Sequence, residues 1–150
     1  MVLIGNVAQA IPAYTMSCFL LPKFICQDLE IMFNKFWWRS NNDEGKGLNW
    51  LSWNKMSKPK PSGGLGFQNL YGFNLALLGK QCWNMIENPH LLVSRIFKAR
   101  YFSSNSMLDG QEGHNPSFVW KGLLTTLQSL RKRYRWVVEN GEDIYATRDQ

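Results

Sequence analysis

The chain has 150 residues, 45% of them hydrophobic and 14% aromatic, with a formal charge of +6. That length suits one domain, which would bury roughly 70% of its unfolded surface, and seven tryptophans exclude a wholly disordered chain, since such chains are poor in aromatics. The positive charge turns the expected partners toward polyanions, nucleic acid first and an anionic membrane surface second.

The first 22 residues are apolar but carry no basic region ahead of them, since the first lysine is Lys23 and the first arginine Arg39. Asn6, Gln9 and Pro12 interrupt the stretch, whereas a membrane span needs about 20 mostly apolar residues. The expectation is a soluble, intracellular chain whose first helix is buried, with no signal peptide and no membrane partner. Residues 2–20 read as a helix bent at Pro12. Pro22 then suits the first turn of a second helix. In it Ile25, Leu29, Met32 and Phe36 recur at helical spacing, widened by Cys26, Phe33 and Trp37, while Gln27, Glu30 and Asn34 form the expected wet face. The polar run 40–45 ends this helix.

Residues 48–56 predict one or two helical turns carrying Trp50 and Trp53. Residues 57–66 have a linker's composition, with glycines suited to positive φ or close backbone approach. Asn69 is a candidate N-cap for a long helix to about Glu87. That helix is apolar nearly all round, except for Lys80, Asn84 and Glu87, and is expected at the centre of the bundle. Asn88 and Pro89 restart the chain into a helix reaching about Tyr101, with Leu92, Ile96 and Phe97 inward and Arg95 and Lys98 outward. A polar loop over 102–116 follows. Ser117 can cap a helix over 118–131, buried through Val119, Leu123, Leu127 and Leu130. Asn140-Gly141 between short β-prone runs, 134–138 and 144–146, signals a hairpin.

An ordered series of landmarks carries a family resemblance. It begins at Val7-Ala8-Gln9-Ala10-Ile11-Pro12-Ala13-Tyr14-Thr15-Met16-Ser17-Cys18-Phe19 and runs through Leu21-Pro22-Lys23, Phe36-Trp37-Trp38, Trp50 and Trp53. It continues at Gly63-Gly64-Leu65-Gly66-Phe67, Phe73-Asn74-Leu75-Ala76-Leu77-Leu78, Ala99-Arg100-Tyr101-Phe102, Asn115-Pro116-Ser117 and Trp120, and ends near Trp136, Asn140-Gly141 and Ile144. The chain resembles the region after the polymerase core in plant LINE-type (non-LTR) retrotransposon reverse transcriptases, and is similar to short plant mitochondrial open reading frames of that type. The resemblance implies a thumb or connection-like helical domain over residues 1–133, then the truncated start of a downstream module over 134–150. It also implies what is missing. The family's polymerase core holds two metal ions on paired aspartates, yet no Asp-Asp pair occurs here. Asp43-Glu44 and Glu142-Asp143 are the adjacent acids, both in turns. The family's zinc-binding and ribonuclease H segments lie further downstream. Gly5 stands where the family usually has a basic residue and Thr147 where it has Trp, and the chain ends at Gln150, before a further Trp. These departures suggest a decayed or excised copy.

Several side-chain groups are candidate sites. Arg131, Lys132, Arg133 and Arg135 put four cations into five residues, a stripe suited to phosphates; a solvated helix C-terminus, whose dipole also favours cations, is the somewhat preferred reading. Lys55, Lys58 and Lys60 beside Trp50 and Trp53 form a second basic-aromatic cluster. Bases could stack there, although the i, i+3 spacing of the tryptophans favours core anchors. The Gly63-Gly64-Leu65-Gly66 turn could cradle a phosphate but lacks the ending of a P-loop; a structural turn delivering Phe67 to the core is the preferred reading. Phe36-Trp37-Trp38 reads as core rather than a ligand platform, except that Trp38 falls off the main stripe, beside Arg39, and could be exposed. Cys18, Cys26 and Cys82 have no C-x2-C spacing and an odd count, so free buried thiols are expected rather than zinc ligands or disulfides. His90 and His114 read as loop residues without a nucleophile nearby.

The combined expectation is a mainly α chain, an irregular bundle of five or six helices with a short C-terminal β-hairpin. Its function would be non-catalytic: a reverse-transcriptase fragment able to bind the RNA or DNA backbone of a template–primer, with no cofactor, metal or small-molecule substrate. The alternatives are a retroelement relic with no biochemical role and a protein–protein interaction module.

Overall fold

A computed structural model of the protein describes residues 12–39, 50–103 and 106–131. Those residues form helices α1 (Ala13–Cys18), α2 (Lys23–Arg39), α3 (Trp53–Met56), α4 (Leu70–Glu87), α5 (Leu92–Tyr101) and α6 (Phe118–Arg131), with single 3-10 turns at Lys60–Ser62 and Met107–Asp109. The mainly α expectation holds, and no strand occurs among the described residues. The hairpin expected over 134–146, the first part of the helix expected over 2–20 and the polar loop 40–45 lie outside them.

Helix α4 is the hub, packing against α1, α2, α5 and α6. Asn69 starts it as expected, its Oδ1 accepting the Gly72 N–H at 2.8 Å. Ser117 starts α6 in the same way, its Oγ accepting from Trp120 N at 3.2 Å. Around α4 the core falls into three clusters. One holds Leu78, Cys82, Met85, Trp120, Leu123 and Leu127 between α4 and α6. Trp120 is fully buried there, stacked on Tyr101 at 4.6 Å between ring centroids, and its indole N–H donates to the Gln111 carbonyl at 3.0 Å. A second cluster joins Trp53, Met56 and Phe67, and a third joins Met16, Cys26 and Leu70; Phe33 packs against both.

Two helix faces differ from the periodicity. In α2, Met32 and Phe36 are exposed, whereas Cys26, Glu30 and Asn34 are buried and Phe33 and Trp37 pack inward. The cause is polar. Glu30 Oε1 accepts the backbone N–H of Leu70, the first residue of α4, at 2.9 Å, and Asn34 Nδ2 donates to the Leu51 carbonyl at 3.3 Å. A helix start leaves orphan N–H groups that need a partner, and α2 turns its polar side chains inward to supply one. In α5, Leu92 and Ile96 are exposed, while Ser94 is buried, its hydroxyl donating to the Asn88 carbonyl at 2.9 Å. Phe97 packs on the Trp120 cluster as expected. Trp38 is not exposed: it packs beside the Trp53 cluster with its indole N–H buried. Of the three thiols, all free, Cys26 and Cys82 are buried, but Cys18 is exposed.

Candidate nucleic-acid interface

The stretch that reads as a linker is a locked turn. Its backbone donors are spent one after another: Gly63 N on the Lys60 carbonyl (3.1 Å), Gly64 N on Pro59 (3.2 Å), Leu65 N on Met56 (2.9 Å), Gly66 N on Lys58 (3.0 Å) and Phe67 N on Met56 (3.3 Å). Gly63 and Gly66 hold φ of +78° and +73°, which glycine adopts without the usual steric cost. A Cβ on Gly64 would land on the Lys58 carbonyl. Since no N–H of the Gly-Gly-Leu-Gly-Phe run is left over, the turn cannot cradle a phosphate. Its product is Phe67, buried and stacked on Trp53 at 5.2 Å, with Trp37 edge-on at 5.3 Å.

The same turn displays three cations. Lys55 lies on α3, Lys58 shortly after it, and Lys60 opens the 3-10 turn. All three side chains are exposed and none pairs with an acid among the described residues. Their backbones are fixed: the Lys55, Lys58 and Lys60 carbonyls each accept a hydrogen bond within the turn. The tryptophans beside them part company. Trp53 is 5% exposed, and its Nε1 donates to the Gln68 carbonyl at 3.2 Å. Trp50 is 72% exposed, because α3 begins only at Trp53, after an extended Ser52, and Trp50 lies outside the helical period. Trp53 is thus a core anchor, and Trp50 is an exposed ring near a cationic turn.

Of the second cation group, Arg131 is placed at the end of α6; Lys132, Arg133 and Arg135 lie outside the described residues. Arg131 is exposed and reaches Asp109 at 3.9 Å, and earlier on the same helix Lys121 meets Glu112 at 3.5 Å. Arg131, Lys121 and Glu112 line a groove of about 560 Å³ with Gln111 and Gln128. These exposed pairs contribute little to stability, but they partly neutralise the local field. Arg131 ends α6, which packs on the Trp120 cluster, whereas the three lysines follow or lie on α3, which carries Trp53 and Met56 of the second cluster.

A polar pocket missed by sequence reasoning opens beside α3, where Lys23, Gln27, Glu30, Asn54, Asn69 and Tyr71 converge. Lys23 Nζ sits 5.2 Å from the centre of the Tyr71 ring. Burial pushes the Glu30 carboxyl above its usual range, opposed by the Leu70 N–H. These residues come from α2, α3 and α4, so no local sequence signal could have found them. No group of three metal-ligating side chains occurs among the described residues, and no described helix is long and apolar enough to cross a membrane.

The chain is 42% identical over 117 residues to an uncharacterized mitochondrial protein of Arabidopsis thaliana, covering 77% of this chain and 75% of that protein. It is 30% identical over 95 residues to an Arabidopsis thaliana protein named provisionally as a ribonuclease H protein, covering 63% of this chain and 15% of that protein. No protein-family model matches the chain, and no solved structure matches it.

Proposed function

We propose, starting from the fact that this chain belongs to the family of the uncharacterized Arabidopsis mitochondrial protein, that it is a non-catalytic, retroelement-derived segment that holds nucleic acid by its phosphate backbone. The observation that carries this reading is the set of Lys55, Lys58 and Lys60, exposed and without acidic partners among the described residues, on a turn held by a run of backbone hydrogen bonds. Cations fixed in place meet phosphates without having to order a loop first, and binding of this kind is driven by release of counterions. The +6 charge supports the same partner. Two further supports are the resemblance to LINE-type reverse transcriptases in the landmark residues and the longer relative with a ribonuclease H name, of which this segment spans 15%. Arg131, with Lys132, Arg133 and Arg135, would extend the contact. On this reading the isolated chain adds no nucleotides, and its compartment is the plant mitochondrion or nucleus.

The test is fluorescence anisotropy with a labelled RNA–DNA hybrid at two salt concentrations. Binding should weaken steeply with salt. Replacing Lys55, Lys58 and Lys60 together by Gln should lower the affinity and reduce the log–log salt slope by about 2–3, close to one for each phosphate that is no longer neutralised. Absent binding, or binding indifferent to salt, refutes the reading.

One observation favours a second reading, a protein-contact module. Phe24, Ile31, Met32 and Phe36 are all exposed on α2. That reading requires self-association or partner capture that salt leaves intact, which sedimentation velocity measures. A relic with no role would instead show no cooperative thermal transition by circular dichroism.

A further inference from the structure

The pocket between α2, α3 and the start of α4 has about 220 Å³. That is below the roughly 300–1,000 Å³ of sites that take drug-sized ligands, so it suits a fragment the size of one ring system. Its hydrogen-bonding groups keep free capacity toward the pocket. Glu30 is only 8% exposed and spends Oε1 on the Leu70 N–H, while Oε2 accepts nothing among the described residues. The side-chain amides of Gln27 and Asn54 make no hydrogen bond there, and Asn69 uses its oxygen on Gly72 N but leaves its NH2 free. Gln27, Asn54 and Asn69 are exposed, so their amides form a wet rim, and the half-committed Glu30 carboxylate is the buried group at the floor of the pocket. Tyr71 supplies an aromatic ring, with Lys23 at its face.

The lining selects the chemistry. A carboxylate floor repels an anionic head and asks for N–H donors; the amides accept or donate to a carbonyl beside them. A lone cation, such as an arginine side chain, would satisfy the carboxylate but would approach Lys23 and Lys55, the latter directly following Asn54 on α3. A neutral planar ring with N–H donors and a carbonyl on one edge, carried on an anionic chain, meets every condition.

We infer that this pocket takes one unpaired guanine base, its N1–H and N2–H2 edge toward Glu30 and its O6 toward the amides, with the strand's phosphates on the neighbouring lysine turn. This rests on the nucleic-acid reading and adds to it a base preference that phosphate contacts cannot supply. Guanine is selected because adenine and cytosine offer an amino group beside an acceptor rather than beside a second N–H, and uracil offers a single N–H.

The experiment uses the full chain and unstructured single strands, in RNA and DNA series, that differ in one central base. A central guanine should bind roughly tenfold more tightly than the other three, within the range of a paired base edge. Glu30→Gln keeps an oxygen for Leu70 N but turns an acceptor into a donor; it should remove the preference and leave the salt slope unchanged. Asn54→Ala, at an exposed position, should reduce the preference and guards against a Glu30 variant that fails to fold. Salt-dependent binding that is equal for all four bases overturns the guanine site while leaving the lysine turn standing. A guanine preference that survives both variants also overturns it. If no strand binds at all, both readings fall. Saturation of the pocket by an arginine peptide but not by guanosine monophosphate, followed by NMR, assigns it to a protein partner and overturns the proposal.

Discussion

Asn74 closes the end of α1 onto the start of α2 through Leu21: its Oδ1 accepts the Leu21 backbone N–H at 2.7 Å, while its Nδ2 donates to the carbonyls of Met16 (2.6 Å) and Phe19 (2.9 Å). The residue is fully buried in the middle of an otherwise apolar run of α4. A six-residue helix has almost no interior hydrogen bonds of its own, so its carbonyls need an outside donor. Asn74→Leu fills the space but strands all three backbone groups, and leaving buried groups unsatisfied costs about 1–3 kcal/mol each. The expected loss is about 3 kcal/mol, read from the urea midpoint with the m-value unchanged. Asn74→Asp should be worse, since it sets an anion against two carbonyls. A loss below about 1 kcal/mol for the Leu variant would mean that α1 is held by its apolar contacts alone.

The turn after α3 separates two glycines that look alike in sequence. Gly66 has positive φ but open space around it, so Gly66→Ala should cost about 1 kcal/mol of backbone strain. Gly64 has ordinary φ, but its Cβ would strike the Lys58 carbonyl and lie 2.7 Å from Lys58 Cβ. Gly64→Ala must open the turn, break the bonds of Leu65 N and Phe67 N to Met56, and lift Phe67 from Trp53. Thermal melts should rank Gly64→Ala well below Gly66→Ala. The lysines lose their fixed spacing with it, so affinity for nucleic acid should fall in the Gly64 variant and stay near wild type in the Gly66 variant.

How much of the fold was legible in the sequence follows from where each signal resides. The caps Asn69 and Ser117, and with them the extents of α4 and α6, could be read because a cap acts on its own helix. The glycine turn could be read because positive φ and close approach are local demands. The inward face of α2 could not. Glu30 and Asn34 are buried to serve Leu70 and the Leu51 carbonyl, partners 40 and 17 residues away, and hydropathy assigns such residues to solvent. The cationic turn was visible as a cluster, but Trp50 and Trp53 were indistinguishable until the start of α3 was fixed. Trp53→Ala should cost about 3–5 kcal/mol as a large core truncation, and Trp50→Ala within about 0.5 kcal/mol as a surface change. Equal effects in chemical unfolding would contradict this division.

Glu30 gives a pH signature with a definite sign. Desolvation raises its pKa above 4.5, with the Leu70 hydrogen bond opposing. The native chain therefore keeps the Glu30 proton to higher pH than the unfolded chain does. The associated stability is fully present below 4.5 and is lost as pH rises through the native pKa. Glu30→Gln cannot titrate and retains the acceptor. The difference in unfolding free energy should shift in favour of the variant as pH is raised from 4.5 toward neutrality. A difference that is flat with pH, or that moves the other way, contradicts a desolvated carboxyl at this position.

The three thiols should divide by position rather than by number. Cys18 is exposed at the end of α1. Cys82 lies at the centre of the α4–α6 core, where burial pushes it up to about 12, and Cys26 is raised by burial first and by the Glu30 carboxylate second. The thiolate is the reacting species, so near neutral pH both buried sulfurs are protonated as well as covered. A colorimetric disulfide reagent should titrate one thiol per native chain quickly and all three after denaturation. Cys18→Ser should abolish the fast phase without changing stability. Fast reaction of a second thiol in the native chain would place Cys26 within reach of solvent, and with it the carboxylate beside it; the α2–α4 contact that holds Glu30 against Leu70 would then have to be open much of the time.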